Sequence, residues 1–410
     1  MTEAGGPGAQ EGDGAATGRP LRLVFVSHSF PPPEAPERSV GGMQRVAVDL
    51  AAALDRRPDV ALDVWAPPIP FDRATRQTTR LILEATAGLP ARARRHRADA
   101  VLFSAMVTAP IAPALRPRMR RVALIAIAHG RDVTLPVAIH QLWLRPAFWS
   151  LDAVLSVSQA TATACEARGL APSRSVVCPN GVDPDAIAPP SDRAAARAAF
   201  YDRLGIPGEA AVVLAVGRQV ARKGSAWFAS EVLPRLPSHA HFVVVGEGPE
   251  HKAISRAAAE AGVGERVHQL GLVDDATLAA ARHSADVFVM PNRPVPGDLE
   301  GFGVVALEAA LSGLYTVAAG IEGICDAVVE PESGRLVPSG DADAWTDALG
   351  RFLADPKAGR AAGAGARDHV LGRFTWDRVV ACHLGHIRAA VARRTGDPSW
   401  LSPDAPPEVG

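Results

Sequence analysis

The chain has 410 residues, too many for one ordinary core, and at roughly 100 to 200 residues per domain it divides into two or three domains. Hydrophobic residues make up 48% and charged residues 21%, as in a packed chain, which excludes wholesale disorder. The 43 basic against 44 acidic residues leave a net charge of −1, so bulk charge gives no ground for nucleic-acid binding and any phosphate-binding surface must be local.

Residues 1–20 are rich in glycine and carry Glu3, Glu11 and Asp13 without a cationic start or an apolar run. They read as a flexible tail and not as a signal peptide. No stretch approaches the roughly 20 apolar residues of a membrane span, so the expected location is the cytoplasm or the inner face of its membrane. Residues 21–27 form a short β-branched apolar run, as expected of a strand covered on both faces. A loop with Pro31, Pro32 and Pro33 leads to Gly41-Gly42, and Val46, Leu50 and Leu54 give helical spacing over 43–54. Strand, glycine, helix is the opening of a doubly wound fold.

Further strands are predicted at 61–66, 100–103, 122–128, 153–157 and 175–178. Between 72 and 121 eleven arginines, from Arg73 to Arg121, face Asp72, Glu84 and Asp99, a local basic face that would suit anionic lipid headgroups or a phosphorylated acceptor, or simply solvent. Residues 189–208 are charged and Ala-rich and read as a bridge between domains. The pattern then restarts, with strands at 211–216, 241–245, 266–270, 286–290 and 315–319 and helices at 225–236, 250–261, 275–283 and 304–312. Late helices are predicted at 342–353 and 374–394, followed by a Pro-rich mobile tail. Two similar parallel α/β domains in tandem account for this alternation.

Only three basic residues are lysines, Lys223, Lys252 and Lys357, and the wealth of Ala, Arg, Gly and Pro is that of a GC-rich coding sequence, as in actinobacteria. Cys165, Cys178, Cys325 and Cys382 form no C-x-x-C pair, so neither a zinc ribbon nor a disulfide scaffold is expected, but four reduced and mostly buried thiols. No metal-ligand spacing such as H-E-x-x-H occurs among the histidines.

The chemistry-bearing residues cluster where predicted strands end. Arg218 and Lys223 flank the loop after 211–216, at the sheet edge where parallel α/β domains bind ligands. The arginine fork, the mobile lysine charge and a following helix N-terminus together suit a diphosphate. After 286–290 comes a loop containing Glu300, Gly301, Phe302 and Gly303, then a helix carrying Val304, Val305 and Glu308. The glycines admit a ligand to the backbone, first-turn amides are open to an anion, and a carboxylate at Glu308 suits a ribose diol. Asp132, near His129, reads as a turn or cap residue or a ligand contact, and Asp274 as a helix N-cap.

Arg218 with Lys223, Gly246-Glu247-Gly248-Pro249 and the Glu300/Glu308 pair resemble family 4 of the retaining glycosyltransferases. The resemblance runs from residue 21 to about 394 and includes Gly41-Gly42, His129-Gly130, Pro179-Asn180-Gly181, Glu322-Gly323 and Glu332-Ser333-Gly334. It implies the GT-B architecture: an α/β chain of two Rossmann-like domains facing across a cleft. The acceptor-side domain would span 21–200, the nucleotide-sugar domain 201–373, and a helix at 374–394 would cross back to the first, leaving tails at 1–20 and 395–410. It further implies that Arg218 and Lys223 bind the donor diphosphate, Glu308 the ribose and Glu300 the transferred sugar. The backbone from Gly301 through Phe302 and Gly303 to Val304 and Val305 would lie beside sugar and phosphate. His129 would face the sugar from the first domain, and Gly42 would admit close approach.

The implied activity is metal-independent, retaining hexosyl transfer, with no cofactor, from a nucleotide sugar to a lipid, glycan or small-molecule acceptor. A UDP sugar is preferred to GDP-mannose. Three other readings stand beside it. Residues 301–306 formally match G-x-G-x-x-A with Glu322 about 20 residues on, as in hydride-transfer enzymes, although the strand ends well before the glycine. A sugar-nucleotide epimerase of the same layout and a donor-binding inactive homologue are the others.

Overall fold

The computed structural model describes residues 19–27, 30, 42–66, 74–187 and 189–401. Gly41, the loop prolines, Arg73 and most of both expected tails, 1–18 and 402–410, lie outside the described residues.

Six parallel strands build the first sheet: β1 (Leu21–Val26), β2 (Val60–Trp65), β3 (Ala100–Phe103), β4 (Ala123–Ala128), β5 (Ala153–Ser156) and β6 (Ser175–Val177), in the order β2-β1-β3-β4-β5-β6. The second sheet contains β7 (Ala211–Val216), β8 (Ala240–Val245), β9 (Val267–Gly271), β10 (Val287–Met290), β11 (Thr316–Ala319) and β12 (Gly334–Val337), in the order β12-β11-β10-β7-β8-β9. Strands such as β4 and β8 are buried along their whole length, because helices cover both faces, which is why they read as unbroken apolar runs. In each sheet the strand order reverses at one point, between β1 and β3 and between β7 and β10. There the connecting helices diverge to opposite faces and leave a crevice at the carboxyl ends of the strands.

The expected boundary at residue 200 moves towards the N-terminus. The helix Arg193–Leu204 buries Phe200 and Tyr201 in the second domain's core, and Arg197 pairs with Asp286 at 3.0 Å. Its start is fixed by Asp192, whose carboxylate accepts the Ala195 amide at 3.0 Å. The expected helix at 225–236 is a broken one, a short α-turn followed by the π-turn Phe228–Val232 and a 3-10 turn at Leu233–Arg235, where Pro234 supplies no amide.

Elements not anticipated in the second half include the edge strand β12 and the helix Pro356–Arg373, which packs on Val304–Leu311. The last long helix, Trp376–Thr395, leaves the second domain and packs on β4, β5 and the Gly42–Asp55 helix of the first. One hydrophobic cluster therefore joins Leu50 and Ile125 of the first domain to Phe302, Leu307, Val380 and Ile387. The chain passes between domains at two adjacent places. Val182 donates its amide to Phe374 at 2.8 Å and accepts from that of Trp376 at 3.2 Å, forming a parallel bridge.

Both expected tails are tied down where they are described. Arg19 forms a two-pronged bond to Asp99 at 2.7 and 2.8 Å and stacks over the Trp400 ring, itself buried in a 3-10 turn at Pro398–Trp400. Among the described residues no helix is long and apolar enough to cross a membrane.

Candidate active site

The site is built at the β7/β10 switch point. β7 ends at Val216, and the following turn runs through Gly217 to Lys223 before Gly224 enters the next helical turn. Gly224 has φ +69°, and a Cβ there would lie 1.9 Å from the Pro291 carbonyl oxygen, so only glycine lets this turn pack against the segment leaving β10. The two connections thereby enclose a small cavity lined by Gly217, Gln219, Lys223, Ser225, Met290 and Asn292.

Glu300 is the electrostatic centre. Its Oε2 accepts from Lys223 Nζ at 2.7 Å, from Asn292 Nδ2 at 2.7 Å and from Arg222 Nη1. Burial opposes its charge, but Lys223, Arg222 and the Asn292 hydrogen bond outweigh it and hold the carboxyl down at about 2. All three bonds fall on Oε2. The backbone of Glu300 is fixed as well, its amide donating to Glu322 Oε2 at 2.6 Å. Arg222 also reaches Asp298 at 3.4 Å, and Asp298 meets Arg131 of the first domain at 3.5 Å. Asn292 Oδ1 is buried without a partner among the described residues. Such an atom is costly unless a ligand engages it.

Arg218, by contrast, is exposed and forms no ion pair among the described residues. Lys223 and Arg218 thus differ, one anchored to Glu300, the other open to an anion. Glu308 is buried on the Val304–Leu311 helix, with Oε2 taken by Arg282 and Oε1 3.8 Å from Arg45 of the first domain. Gly303, with φ +93°, starts that helix, and the first-turn amides of Val304 and Val305 have no acceptor within it. The Val304 and Val305 side chains pack towards the cores, and the Phe302 ring is buried 6.1 Å from that of Phe374. Of Phe302, then, the backbone, which the resemblance sets beside sugar and phosphate, is what a ligand can meet.

His129 enters from the end of β4. Its Nε2 donates to the Ser104 carbonyl at 2.8 Å, which leaves Nδ1 unprotonated in the neutral ring. Asp132, open between two roles on sequence, is structural: its buried carboxylate accepts the amides of His129 and Met106, each at 2.8 Å, tying the loops after β4 and β3 together. Across the cleft the Gly301 backbone lies against that of His129 and Gly130. The two domains are in contact there, with Thr161 Oγ1 3.5 Å from the Gly301 carbonyl and Thr134 Oγ1 3.3 Å from that of Gly297. Gly42 sits exposed at a helix start, and a Cβ built on it meets nothing within 4 Å among the described residues.

The switch point thus brings Lys223 and Glu300 together, and the interface adds His129 and Gly301. Arg222, Asn292 and Asp298 escaped the sequence reading, and Glu322, noted in Glu322-Gly323, was given no part in holding Glu300. Arg222 precedes Lys223 and Asn292 follows β10 by two residues, so position beside a strand end was the available signal. The hydride-transfer reading fails on geometry, because ten residues separate the end of β10 at Met290 from Gly301 and Glu322 is spent on the Glu300 amide.

Residues 40–186 match the model for Glycosyltransferase Family 4 and residues 210–355 that for Glycosyl transferases group 1. The chain belongs to this glycosyltransferase family. It is 32% identical over 380 residues to the GDP-mannose-dependent alpha-(1-6)-phosphatidylinositol monomannoside mannosyltransferase of Mycolicibacterium smegmatis, covering 86% of this chain and 95% of that one. A D-inositol 3-phosphate glycosyltransferase of Xylanimonas cellulosilytica is 36% identical over 226 residues, 53% of this chain and 52% of the relative. In fold the chain resembles the catalytic domain of Starch Synthase IV from Arabidopsis thaliana, bound to ADP and acarbose, with TM-score 0.70 and 14% identity over 91% of this chain and all of that one. It also resembles the sucrose-phosphate synthase of Thermosynechococcus elongatus, with TM-score 0.67 and 20% identity over 88% and 96%. The fold is GT-B and the activity glycosyl transfer. The preference for UDP is not supported, since the relative similar over almost its whole length is named for GDP-mannose, and the epimerase reading finds no support either.

Proposed function

We propose that this chain is a retaining mannosyltransferase that moves a mannosyl group from GDP-mannose to an inositol-bearing glycolipid at a membrane surface. The observation that carries the transfer chemistry is the convergence of Lys223, Arg222 and Asn292 on Glu300 at the β7/β10 switch point. Donor and acceptor rest on the relative that is 32% identical over 95% of its length.

In this reading Arg218 and Lys223 neutralise the charge that grows on the β-phosphate as the bond from the sugar anomeric carbon to phosphate oxygen breaks. Glu300 Oε1 and Asn292 Oδ1 accept hydrogen bonds from sugar hydroxyls, while the Val304 and Val305 amides face phosphate. The ribose diol meets Glu308, displacing its longer contact with Arg45. The acceptor hydroxyl attacks from the face the phosphate leaves, gives its proton to the departing phosphate oxygen, and the anomeric configuration is retained. His129 faces the sugar, and closure of Gly301 on His129 excludes water. No step in this account calls for a metal ion.

A membrane-borne acceptor suits the helix Ala138–Ser150, which exposes Ile139, Leu142, Trp143 and Trp149 at 46 to 70%. Apolar and aromatic groups on one amphipathic helix enter the headgroup boundary. It adds to the 73–121 segment, where Arg92 and Arg116 pair with Asp63 and Asp152 but Arg94, Arg95, Arg97, Arg118, Arg120 and Arg121 are exposed.

The test is a transfer assay with GDP-mannose, UDP-glucose and UDP-galactose against phosphatidylinositol and its monomannoside in vesicles. Transfer from GDP-mannose alone, giving an α-linked product, is expected. Transfer from a UDP sugar, or to water-soluble acceptors only, would overturn the reading.

A further inference from the structure

Cys178 follows β6 at the end of the first domain, and Cys382 lies on the helix that returns from the second. Their Sγ atoms are 3.3 Å apart although 204 residues separate them in sequence. His386, one helical turn beyond Cys382, turns to the same spot, and the two sulfurs and one imidazole nitrogen all lie within 4.8 Å of one another. Cys178 is fully buried and Cys382 8% exposed, whereas His386 is half-buried, so the cluster has one side towards solvent.

We propose that Cys178, Cys382 and His386 bind a thiophilic divalent ion of the zinc class, which staples the last strand of the first domain to the returning helix. Tetrahedral zinc holds sulfur at about 2.3 Å and imidazole nitrogen at about 2.0 Å, which sets ligand atoms roughly 3.4 to 3.8 Å apart. The two sulfurs need to part by only tenths of an ångström to reach that spacing. A disulfide would instead require them to close from 3.3 Å to about 2.05 Å. Two thiolates cancel the charge of the ion, so the site is neutral and its burial carries little electrostatic penalty. The solvent side of His386 leaves the fourth position to water. Cys178 precedes the Val182 bridge by four residues, so the ion acts on the junction between domains.

The experiment uses the full chain, reduced and held without oxygen, titrated with Co2+ and then Zn2+. One equivalent of Co2+ should give a thiolate-to-cobalt charge-transfer band with intense tetrahedral visible absorption, which one equivalent of Zn2+ bleaches. Zinc should also raise Tm, as any ligand of the native state does. The band should vanish in Cys178→Ser and Cys382→Ser, weaken at least tenfold in apparent affinity in His386→Ala, and persist in the control Cys325→Ser. Should the serine variants fail to fold, alkylation of the wild type decides: zinc should shield Cys178 and Cys382 while the exposed Cys325 reacts. Absence of the charge-transfer band, its survival in both serine variants, or a Cys178–Cys382 disulfide with no metal uptake after reduction would overturn the proposal.

Discussion

Gly301 packs so tightly on His129 that a methyl group added to it would lie 1.9 Å from the His129 carbonyl oxygen. Backbone meets backbone across the cleft, and neither side can yield as a flexible side chain would. Gly301→Ala is therefore expected to hold the domains apart and lower kcat/KM by about 10²-fold, roughly 2.7 kcal/mol in the barrier, with each domain still folded. Transfer at the wild-type rate would mean that this contact does not belong to the reacting state. Gly42→Ala supplies the contrast, since its added methyl meets no atom of the described residues within 4 Å and Tm should not fall. A loss of kcat without loss of Tm there would place substrate beside Gly42.

The Glu300 cluster separates anchoring from chemistry. Lys223→Ala and Glu300→Gln should each slow transfer by about 10²-fold. Arg222→Ala should do so too, although Arg222 acts as a positioning residue through Glu300 and Asp298. Arg218→Ala differs in kind: with no ion-pair partner among the described residues to lose, it should leave Tm unchanged and raise the Kd for the nucleotide diphosphate, measured by calorimetry. A fall in Tm for Arg218→Ala equal to that of Arg222→Ala would contradict this division.

Acid sensitivity follows from the same carboxylate. Its pKa is depressed from 4.5 to about 2 in the folded chain, so its contribution to stability is complete above about pH 4.5 and is lost as pH falls towards 2. Between those limits Glu300→Gln should flatten the dependence of unfolding free energy on pH. An unchanged slope in denaturant titrations at pH 5, 4 and 3 would mean that Glu300 does not meet these partners in solution.

Membrane recruitment should depend on the Ala138–Ser150 helix. Leu142→Ser combined with Trp143→Ser is expected to abolish co-sedimentation with anionic vesicles while leaving donor binding intact, because both side chains are exposed, at 70% and 46%. Vesicle binding by this double variant equal to the wild type would remove the helix from the interface.

The tandem α/β layout was legible because most covered strands show as short apolar runs, and β3 and β7 fall on the expected residues. The Pro356–Arg373 helix was hidden by Gly359, Gly363, Gly365 and Gly372, which break the apolar period. Its glycines serve packing: a Cβ on Gly363 would lie 2.0 Å from the Gly313 carbonyl oxygen. The cue available was Asp355-Pro356, a cap followed by proline at the first helical position, and the Asp355 carboxylate does accept the amides of Lys357 and Ala358. At the site, Glu300 and Lys223 were readable from their places after β-strands. The partnership of Arg222, Asp298 and Arg131 was not, because it joins two domains and no local spacing encodes a contact across a cleft.

The bridge between Val182 and the backbone of Phe374 and Trp376 locks the two interdomain passages side by side. Two separate links would let the halves slide and twist independently. Fastened together they act as a door hinge, restricting the halves to swinging about one line. The Gly301 to His129 contact then becomes the latch.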